Sequence, residues 1–310
     1  MKIGIPRALY FFKYGGIWEE FFKKLNYEVI ISPPTNKEIL TTGVSLAVEE
    51  VCIPLKVFYG HCKKLEGKCD FVFIPRYISL IRGTYTCPKF LVLPDVTRFL
   101  LPDLPILTIC IKGKPQPGIF QFLLLNMRMY RKISWVEGKN LFNVKKMRSV
   151  FRLIQEKEER KKSDQTLYLS LLGQRGLKVM VVGHPYNLRD TYVSQDLLGK
   201  LKSLGVTVIT PEQIPPNLIH HQLKSLPFIY WSEEWDIAGS AYLALKEPRI
   251  RGIILVSSFG CGPDSLITEQ IVRDARKSGK PVMQLFLDEN TSDVNIQTRL
   301  EAFLDMLERK

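Results

Sequence analysis

Residues Arg251 to Ser265 read RGIILVSSFGCGPDS, a stretch that combines a predicted strand, a tight turn and the start of a predicted helix. The apolar, β-branched run 252–258 predicts a buried parallel strand. Glycines flank Cys261 in a tight turn, and helical periodicity follows over residues 264–277. Open α/β sheets place ligands beyond the carboxyl ends of their strands, which makes Cys261 a candidate ligand or nucleophile. The helix N-terminus is expected to favour the thiolate, although a buried, inert cysteine fits this one position equally well.

Strand and helix patterns alternate along most of the chain. Runs of apolar residues at Lys2–Ile5 and Lys178–Gly183 each begin a strand–helix–strand series. Such series predict right-handed, doubly wound lobes. We therefore predict an α/β protein with two doubly wound (Rossmann- or flavodoxin-like) lobes, a cleft between them and a basic helical connector. The predicted boundaries are residues 1–125 for the N-terminal lobe, 126–176 for the connector and 177–310 for the C-terminal lobe.

Positive charge is concentrated in the middle of the chain. The net charge is +13, and the segment from Lys112 to Lys178 carries 16 Lys or Arg against 5 Asp or Glu, a net +11. A solvated helical connector is one explanation, and an anionic small molecule or an acidic protein partner is another. Because no RNA- or DNA-binding motif accompanies the charge, nucleic acid is not the expected partner.

Three of the six cysteines share a proline context: Cys52-Ile53-Pro54, Cys87-Pro88 and Cys261-Gly262-Pro263. A proline just after a cysteine fixes the thiol on irregular backbone near the end of an element. Three dispersed thiols suit an iron–sulfur cluster better than a structural zinc site, which normally has four ligands in close-spaced pairs. The other three, Cys62, Cys69 and Cys110, have no such neighbour.

Local patterns also predict where these cysteines sit. Residues 45–51 are expected to continue a helix up to Cys52, and Pro54 to open the next helix. A loop over residues 77–86 is expected to lead to Cys87.

Several known site motifs are absent from the sequence. It contains no dinucleotide-binding glycine fingerprint, no Walker phosphate loop and no His-Glu-x-x-His zinc pattern. His184, which follows a predicted strand, is a candidate for either a polar active-site contact or a structural histidine. The N-terminus lacks a signal-peptide cleavage site and no apolar run reaches membrane-spanning length, so we expect a cytoplasmic protein without a membrane partner.

Seven stretches together resemble the activase-related proteins of the 2-hydroxyacyl-CoA dehydratase system, a domain family of unknown function related to the dehydratase iron–sulfur subunits. The stretches are GIPRAL (4–9), TNKEIL (35–40), EEVCIPLKVFYGH (49–61), Cys87-Pro88, GHPYNLRD (183–190), SFGCGPDS (258–265) and TRLEAF (298–303). Two departures are Tyr59-Gly60-His61, where relatives tend to have His-Gly-His, and Asp288-Glu289-Asn290, where they tend to have Asp-Glu-His.

The resemblance implies a [4Fe–4S] cluster between two α/β lobes, bound by Cys52, Cys87 and Cys261. Three cysteines leave one iron of a cubane cluster open to water or a substrate oxygen. Candidates to line that position, as catalytic residues, lie in the matched motifs: Glu49, Lys56, His61, His184 and Asp264.

Three functions remain open at this point. The first is a redox iron–sulfur protein that transfers low-potential electrons or acts on an acyl-CoA. The second is a non-catalytic partner or scaffold that retains the fold, and the third is a nucleic-acid binder that uses the basic connector. For the first, the resemblance implies a separate ATP-dependent activator or another electron-donor protein. The positive charge of the connector makes it a candidate docking surface for that partner. The oligomeric state is left open.

Overall fold

The computed structural model describes residues 1–81, 83–112 and 165–309, and these residues form two compact units. The first unit contains Met1–Val48, the described residues of Val57–Lys161, and Tyr230–Ser232. The second contains Glu49–Lys56 and the described residues of Lys162–Ile229 and Glu233–Lys310. The short segment Glu49–Lys56 thus belongs to the second unit, although the chain on both sides of it belongs to the first. Most of the predicted connector lies outside the described residues.

The first unit is built on a four-stranded parallel sheet with the order β2-β1-β3-β5. A separate parallel pair joins β4 and β6. The strands of this unit are β1 (Lys2–Ile5), β2 (Glu28–Ile31), β3 (Phe71–Phe73), β4 (Arg76–Ser79), β5 (Ile106–Leu107) and β6 (Cys110–Lys112).

The helices of the first unit pack on this sheet through an aromatic core. Trp18 and Phe22 of the first helix pack on Phe73 of β3, and the Trp18 indole N–H donates to the buried Tyr77 hydroxyl at 3.0 Å. Asn36 caps the second helix, its side chain accepting from the Ile39 backbone N–H, as expected for an asparagine at this position. The helices are α1 (Phe11–Lys24), α2 (Lys37–Leu46), α3 (Ile53–Leu65), α4 (Pro88–Leu91) and α5 (Leu93–Leu100).

The second unit has a four-stranded parallel sheet with the order β10-β9-β7-β8. Its two central strands are buried along their whole length, so they contain almost only apolar residues. The strands are β7 (Lys178–Gly183), β8 (Thr207–Ile209), β9 (Gly252–Ser258) and β10 (Val282–Leu287). The helices are α6 (Thr166–Gly173), α7 (Pro185–Arg189), α8 (Leu197–Ser203), α9 (Pro216–Leu223), α10 (Glu234–Lys246), α11 (Gly262–Ser278) and α12 (Asp293–Glu308).

The two four-stranded sheets follow the same winding rule. In each, the first strand lies between the second and the third, which is the order of a flavodoxin-like doubly wound sheet. The predicted α/β fold class is therefore confirmed. In such a sheet the second strand is added on one side of the first strand and the third strand on its other side. Ligands bind in the crevice beyond the carboxyl ends of the first and third strands, where the order of addition reverses. In the second unit that switch point lies between β7 and β9.

Two local predictions were wrong, both near a cysteine. The helix expected over residues 45–51 ends at Leu46, because the following backbone is extended and its segment packs in the second unit. The loop expected over residues 77–86 begins instead inside strand β4, which finds a parallel partner in β6. In both places a tertiary partner overrides the local pattern.

In the part of the chain that the structure describes, no helix is both long and apolar enough to span a membrane.

Candidate functional site

The candidate site lies at the switch point of the second unit. Strands β7 and β9 run side by side, with Gly183 opposite Val256, and a Cβ on Gly183 would lie 2.5 Å from the Val256 carbonyl oxygen. This close pairing sets the two strand ends next to each other. His184 follows β7 directly, and Cys261 follows β9 after a two-residue turn. The prediction that both residues lie at carboxyl ends of strands is therefore met by the fold.

His184 is held between two buried carboxylates. Its Nε2 atom lies 3.0 Å from Asp264 Oδ1 and 3.5 Å from Glu234 Oε1. Tyr186 stacks on the imidazole with a centroid distance of 4.8 Å and an interplanar angle of 17°. The stacked ring and the ion pairs restrict the imidazole orientation. His184, Cys261 and Asp264 bring one nitrogen, one sulfur and one oxygen to within 4.8 Å of one another.

Buried carboxylate oxygens without hydrogen bonds lie close to this histidine. Asp264 and Glu234 are each 1% exposed. Within residues 1–81, 83–112 and 165–309, neither Asp264 oxygen nor Glu234 Oε2 has a hydrogen-bond partner. The Asp264–His184 contact is an ion pair. Buried polar atoms without hydrogen bonds are costly in a protein interior, and they are typical of positions that bind a ligand, an ion or an ordered water.

The electrostatics of the site follow from this burial. Burial alone would lower the pKa of His184, but Asp264, Cys261 and Glu234 beside it hold that pKa well above its ordinary value. Burial and the neighbouring Asp264 raise the pKa of Glu234 to about 7. Burial also raises the pKa of the Cys261 thiol to about 12, despite the opposing effect of His184. The backbone N–H of Asp264, at the helix N-terminus, lowers this pKa as expected, but desolvation of the sulfur outweighs it.

The segment that carries Cys52 lies against the Cys261 turn. Gly260 has a φ of 76°, and a Cβ built on it would lie 3.2 Å from the Glu50 carbonyl oxygen and 3.8 Å from the Cys52 backbone nitrogen. Glycine is required both by this backbone conformation and by the close approach. Cys52 and Cys261 each contribute to the electrostatic environment of the Tyr186 hydroxyl. Two of the three proline-flanked cysteines are thus brought together within one unit.

Lys56 anchors the same segment from its other end. The Lys56 side chain is 5% exposed, donates to the Glu49 backbone carbonyl at 2.8 Å and forms an ion pair with Glu289. The ammonium group therefore has two partners inside the second unit. Glu49 is exposed and takes part through its backbone carbonyl.

The remaining predicted site residues belong to the first unit. Cys87 is the residue before α4 and is partly exposed. His61 is fully buried in α3, with Nδ1 2.8 Å from the Ser32 hydroxyl and Nε2 2.9 Å from the Thr35 hydroxyl. Both ring nitrogens of His61 are thus engaged within its own unit. The roles of Cys87 as a ligand and of His61 as a catalytic residue stay predictions.

The three other cysteines lie in the first unit. Cys62 is completely buried, and burial raises its pKa well above the ordinary value. The Cys69 thiol donates to the Leu65 carbonyl at 3.4 Å, and Cys110 lies in strand β6.

Sequence reasoning missed Glu234 and Glu289. Glu234 belongs to a stretch that reads as an amphipathic helix start, and one signal was available, since the adjacent pair Glu233-Glu234 lies among apolar and aromatic residues. Glu233 and Glu234 are both buried, which is rare for neighbouring acidic residues. Glu289 lies in the Asp288-Glu289-Asn290 stretch, which the resemblance singled out for its departure at Asn290 but to which no role was assigned.

A family model for the CoA enzyme activase uncharacterised domain matches residues 2–214. The chain belongs to this family. The match confirms the resemblance, and it includes Cys52, Cys87 and His184, whereas Cys261 and Asp264 lie beyond its end. No curated protein matches the chain.

Proposed function

We propose that this member of the CoA enzyme activase-related family is an iron–sulfur protein, with a [4Fe–4S] cluster bound by Cys52, Cys87 and Cys261. The observation that carries the proposal is that the segment containing Cys52 packs against the turn containing Cys261. These two residues are distant in the chain, yet the Glu49–Lys56 segment packs against Gly260 in the second unit. Cys87 enters the proposal on its sequence context, as the third proline-flanked cysteine.

The donor set fits such a group. Cys52 and Cys261 are partly exposed cysteines that form no disulfide, and thiolates are the usual ligands of iron–sulfur clusters. The polar atoms left without partners near Cys261 are consistent with a site that needs a further group. Since the free Cys261 thiol is protonated at neutral pH, ligand formation requires that it release its proton.

A [4Fe–4S] cluster supplies one-electron transfer at low potential, and an iron without a cysteine ligand can polarise a thioester carbonyl. The protein residues then have separate tasks. His184 holds a positive charge beside Cys261, and Asp264 and Glu234 keep the proton on its ring. Tyr186 fixes the plane of the imidazole. A charged donor near a ligand sulfur is one of the means by which a protein tunes the potential of a cluster.

The family description supports a role within a CoA enzyme system, and we propose two kinds of partner. One is a separate ATP-dependent activator or another electron-donor protein, because no phosphate-binding glycine loop occurs in the sequence. The other is an acyl-CoA as substrate.

The test is oxygen-free purification followed by iron and sulfide analysis. We expect about four irons and four sulfides per chain. Cys52→Ala, Cys87→Ala and Cys261→Ala should each lose the cluster. The matched controls Cys62→Ala, Cys69→Ala and Cys110→Ala should retain it. Equal iron contents in all six variants would contradict the assignment.

A second measurement separates the two chemistries. If the site acts on an acyl-CoA, adding a thioester should change the electron paramagnetic resonance spectrum of the reduced protein. If the spectrum does not change and a fourth protein ligand is found, the chain transfers electrons only.

A further inference from the structure

The group formed by His184, Cys261 and Asp264 has the geometry of a site for a single ion. Its nitrogen, sulfur and oxygen donors lie within 4.8 Å of one another. Around a tetrahedral zinc ion, bonds of about 2.0 to 2.3 Å place donor atoms roughly 3 to 4 Å apart. Only small side-chain movements therefore separate the three donors from a shared ion.

The buried Asp264 carboxylate forms an ion pair with His184 but lacks the hydrogen bonds that such a group usually accepts. The residue is 1% exposed, and among the described residues both of its carboxylate oxygens lack hydrogen bonds. A buried carboxylate normally accepts several hydrogen bonds or binds a metal. An ion shared with His184 would satisfy the oxygen nearest to that ring.

The charges around His184 also favour a bound cation. Asp264 and Glu234 approach the same ring nitrogen, and the Cys261 sulfur lies beside them. Metal binding would displace the proton of the Cys261 thiol and the proton on the ligating ring nitrogen, and the resulting thiolate and the Asp264 carboxylate carry two negative charges. A divalent cation would balance two carboxylates, or a carboxylate and a thiolate, without a buried excess of charge.

We propose that His184, Cys261 and Asp264 bind one divalent transition-metal ion, Zn²⁺ or Fe²⁺, in the chain that lacks a cluster. A mixed sulfur, nitrogen and oxygen donor set suits these ions and not Mg²⁺ or Ca²⁺, which prefer oxygen ligands alone. Three protein ligands leave one coordination position for water or a substrate atom. All three ligands belong to the second unit, so the site requires neither Cys87 nor the proposed cluster.

Co²⁺ is the probe, because its tetrahedral complexes are coloured and its bond to a thiolate gives a charge-transfer absorption. The full chain is freed of metal and reduced under oxygen-free conditions, and Co²⁺ is then added. We expect one equivalent to bind with a thiolate charge-transfer band, and Zn²⁺ to displace it. Absence of that band in the wild-type chain would overturn the proposal.

Variants locate the site. Cys261→Ser should remove the charge-transfer band, and Asp264→Asn should weaken Co²⁺ binding at least about tenfold. Glu234→Gln, next to a ligand, should weaken it about 10- to 100-fold. Circular dichroism confirms that each variant is folded; if Cys261→Ser is not, His184→Gln is measured in its place. Unchanged binding in folded Cys261→Ser or Asp264→Asn would also contradict the proposal.

The two proposals fail separately. Cys87→Ala should lose the cluster and still bind Co²⁺. Bound Zn²⁺ should block cluster assembly, because the ion and the cluster both need Cys261. A chain that assembles a cluster but never gives the cobalt–thiolate band would retain the proposed function and lose this inference.

Discussion

Buried Lys56 forms an ion pair with Glu289, a residue 233 positions away in the chain. Together with the Gly260 contact, this pair attaches the segment Glu49–Lys56, and with it Cys52, to the second unit. Lys56 therefore acts as a positioning residue for Cys52. The Lys56 ammonium group also donates a hydrogen bond to the Glu49 backbone carbonyl, which links the two ends of the segment.

Lys56→Ala should lower the free energy of unfolding by about 2 to 3 kcal/mol, because it leaves a partly buried carboxylate without its charged partner. Urea unfolding monitored by circular dichroism measures this loss. The matched control is Lys64→Ala, which breaks the more exposed pair with Glu38 and should cost less than about 1 kcal/mol. Equal losses in the two variants would show that the buried pair is not an anchor.

Gly260→Ala tests the close approach of the two cysteine-bearing segments. The change adds a Cβ 3.2 Å from the Glu50 carbonyl at a φ of 76°. Gly279→Ala is the matched control, because Gly279 has a φ of 69° and nothing lies within 4 Å of its Cβ position. Both should lose about 1 kcal/mol through backbone strain. Only Gly260→Ala should also reduce iron binding, and a similar reduction in both variants would argue against the contact.

His61 should make the stability of the first unit depend on pH. Burial, followed by the charge of Arg7, lowers its pKa from 6.5 to about 3, so the folded chain holds it neutral. Since the unfolded state takes up a proton below pH 6.5, stability should fall by up to about 1.4 kcal/mol per pH unit between pH 6.5 and about 3.

Nuclear magnetic resonance of the imidazole protons checks this prediction. The His61 signals should stay in the neutral form down to pH 4. His61→Gln keeps a donor and an acceptor for Ser32 and Thr35 but does not titrate, so this variant should lack that part of the pH dependence. Titration of the His61 signals near pH 6.5 in the folded protein would contradict the assignment.

The basic segment should govern reduction by a protein partner. Lys145, Lys146, Lys161 and Lys162 lie in this segment, outside the described residues. Changing all four to Glu should slow partner-driven reduction at low ionic strength and leave the iron content unchanged, because charge complementarity mainly raises association rates. Stopped-flow absorbance at two salt concentrations measures the effect. A rate that is the same in the variant and the wild type would remove the segment as a docking surface.

The sequence by itself determined the fold class and part of the site. Strands Gly252–Ser258 and Lys178–Gly183 have the bounds that their apolar runs predict, because a strand buried on both faces needs an unbroken run of apolar side chains. Their order along the chain, with helices between them, restricts the sheet to parallel pairing. His184 and Cys261 follow these strands, so their location at one sheet edge was predictable.

The residues that complete the site are brought there by tertiary packing. Glu234 reaches His184 from a helix, and Glu289 reaches Lys56 from the loop after β10. Residues Glu49–Lys56 belong to the second unit, and helix α2, which precedes them, ends earlier than its local pattern predicts. The periodicity of apolar residues indicates which face of a helix or strand is buried. It does not record which distant side chain meets that face, because that choice depends on the packing of the whole unit.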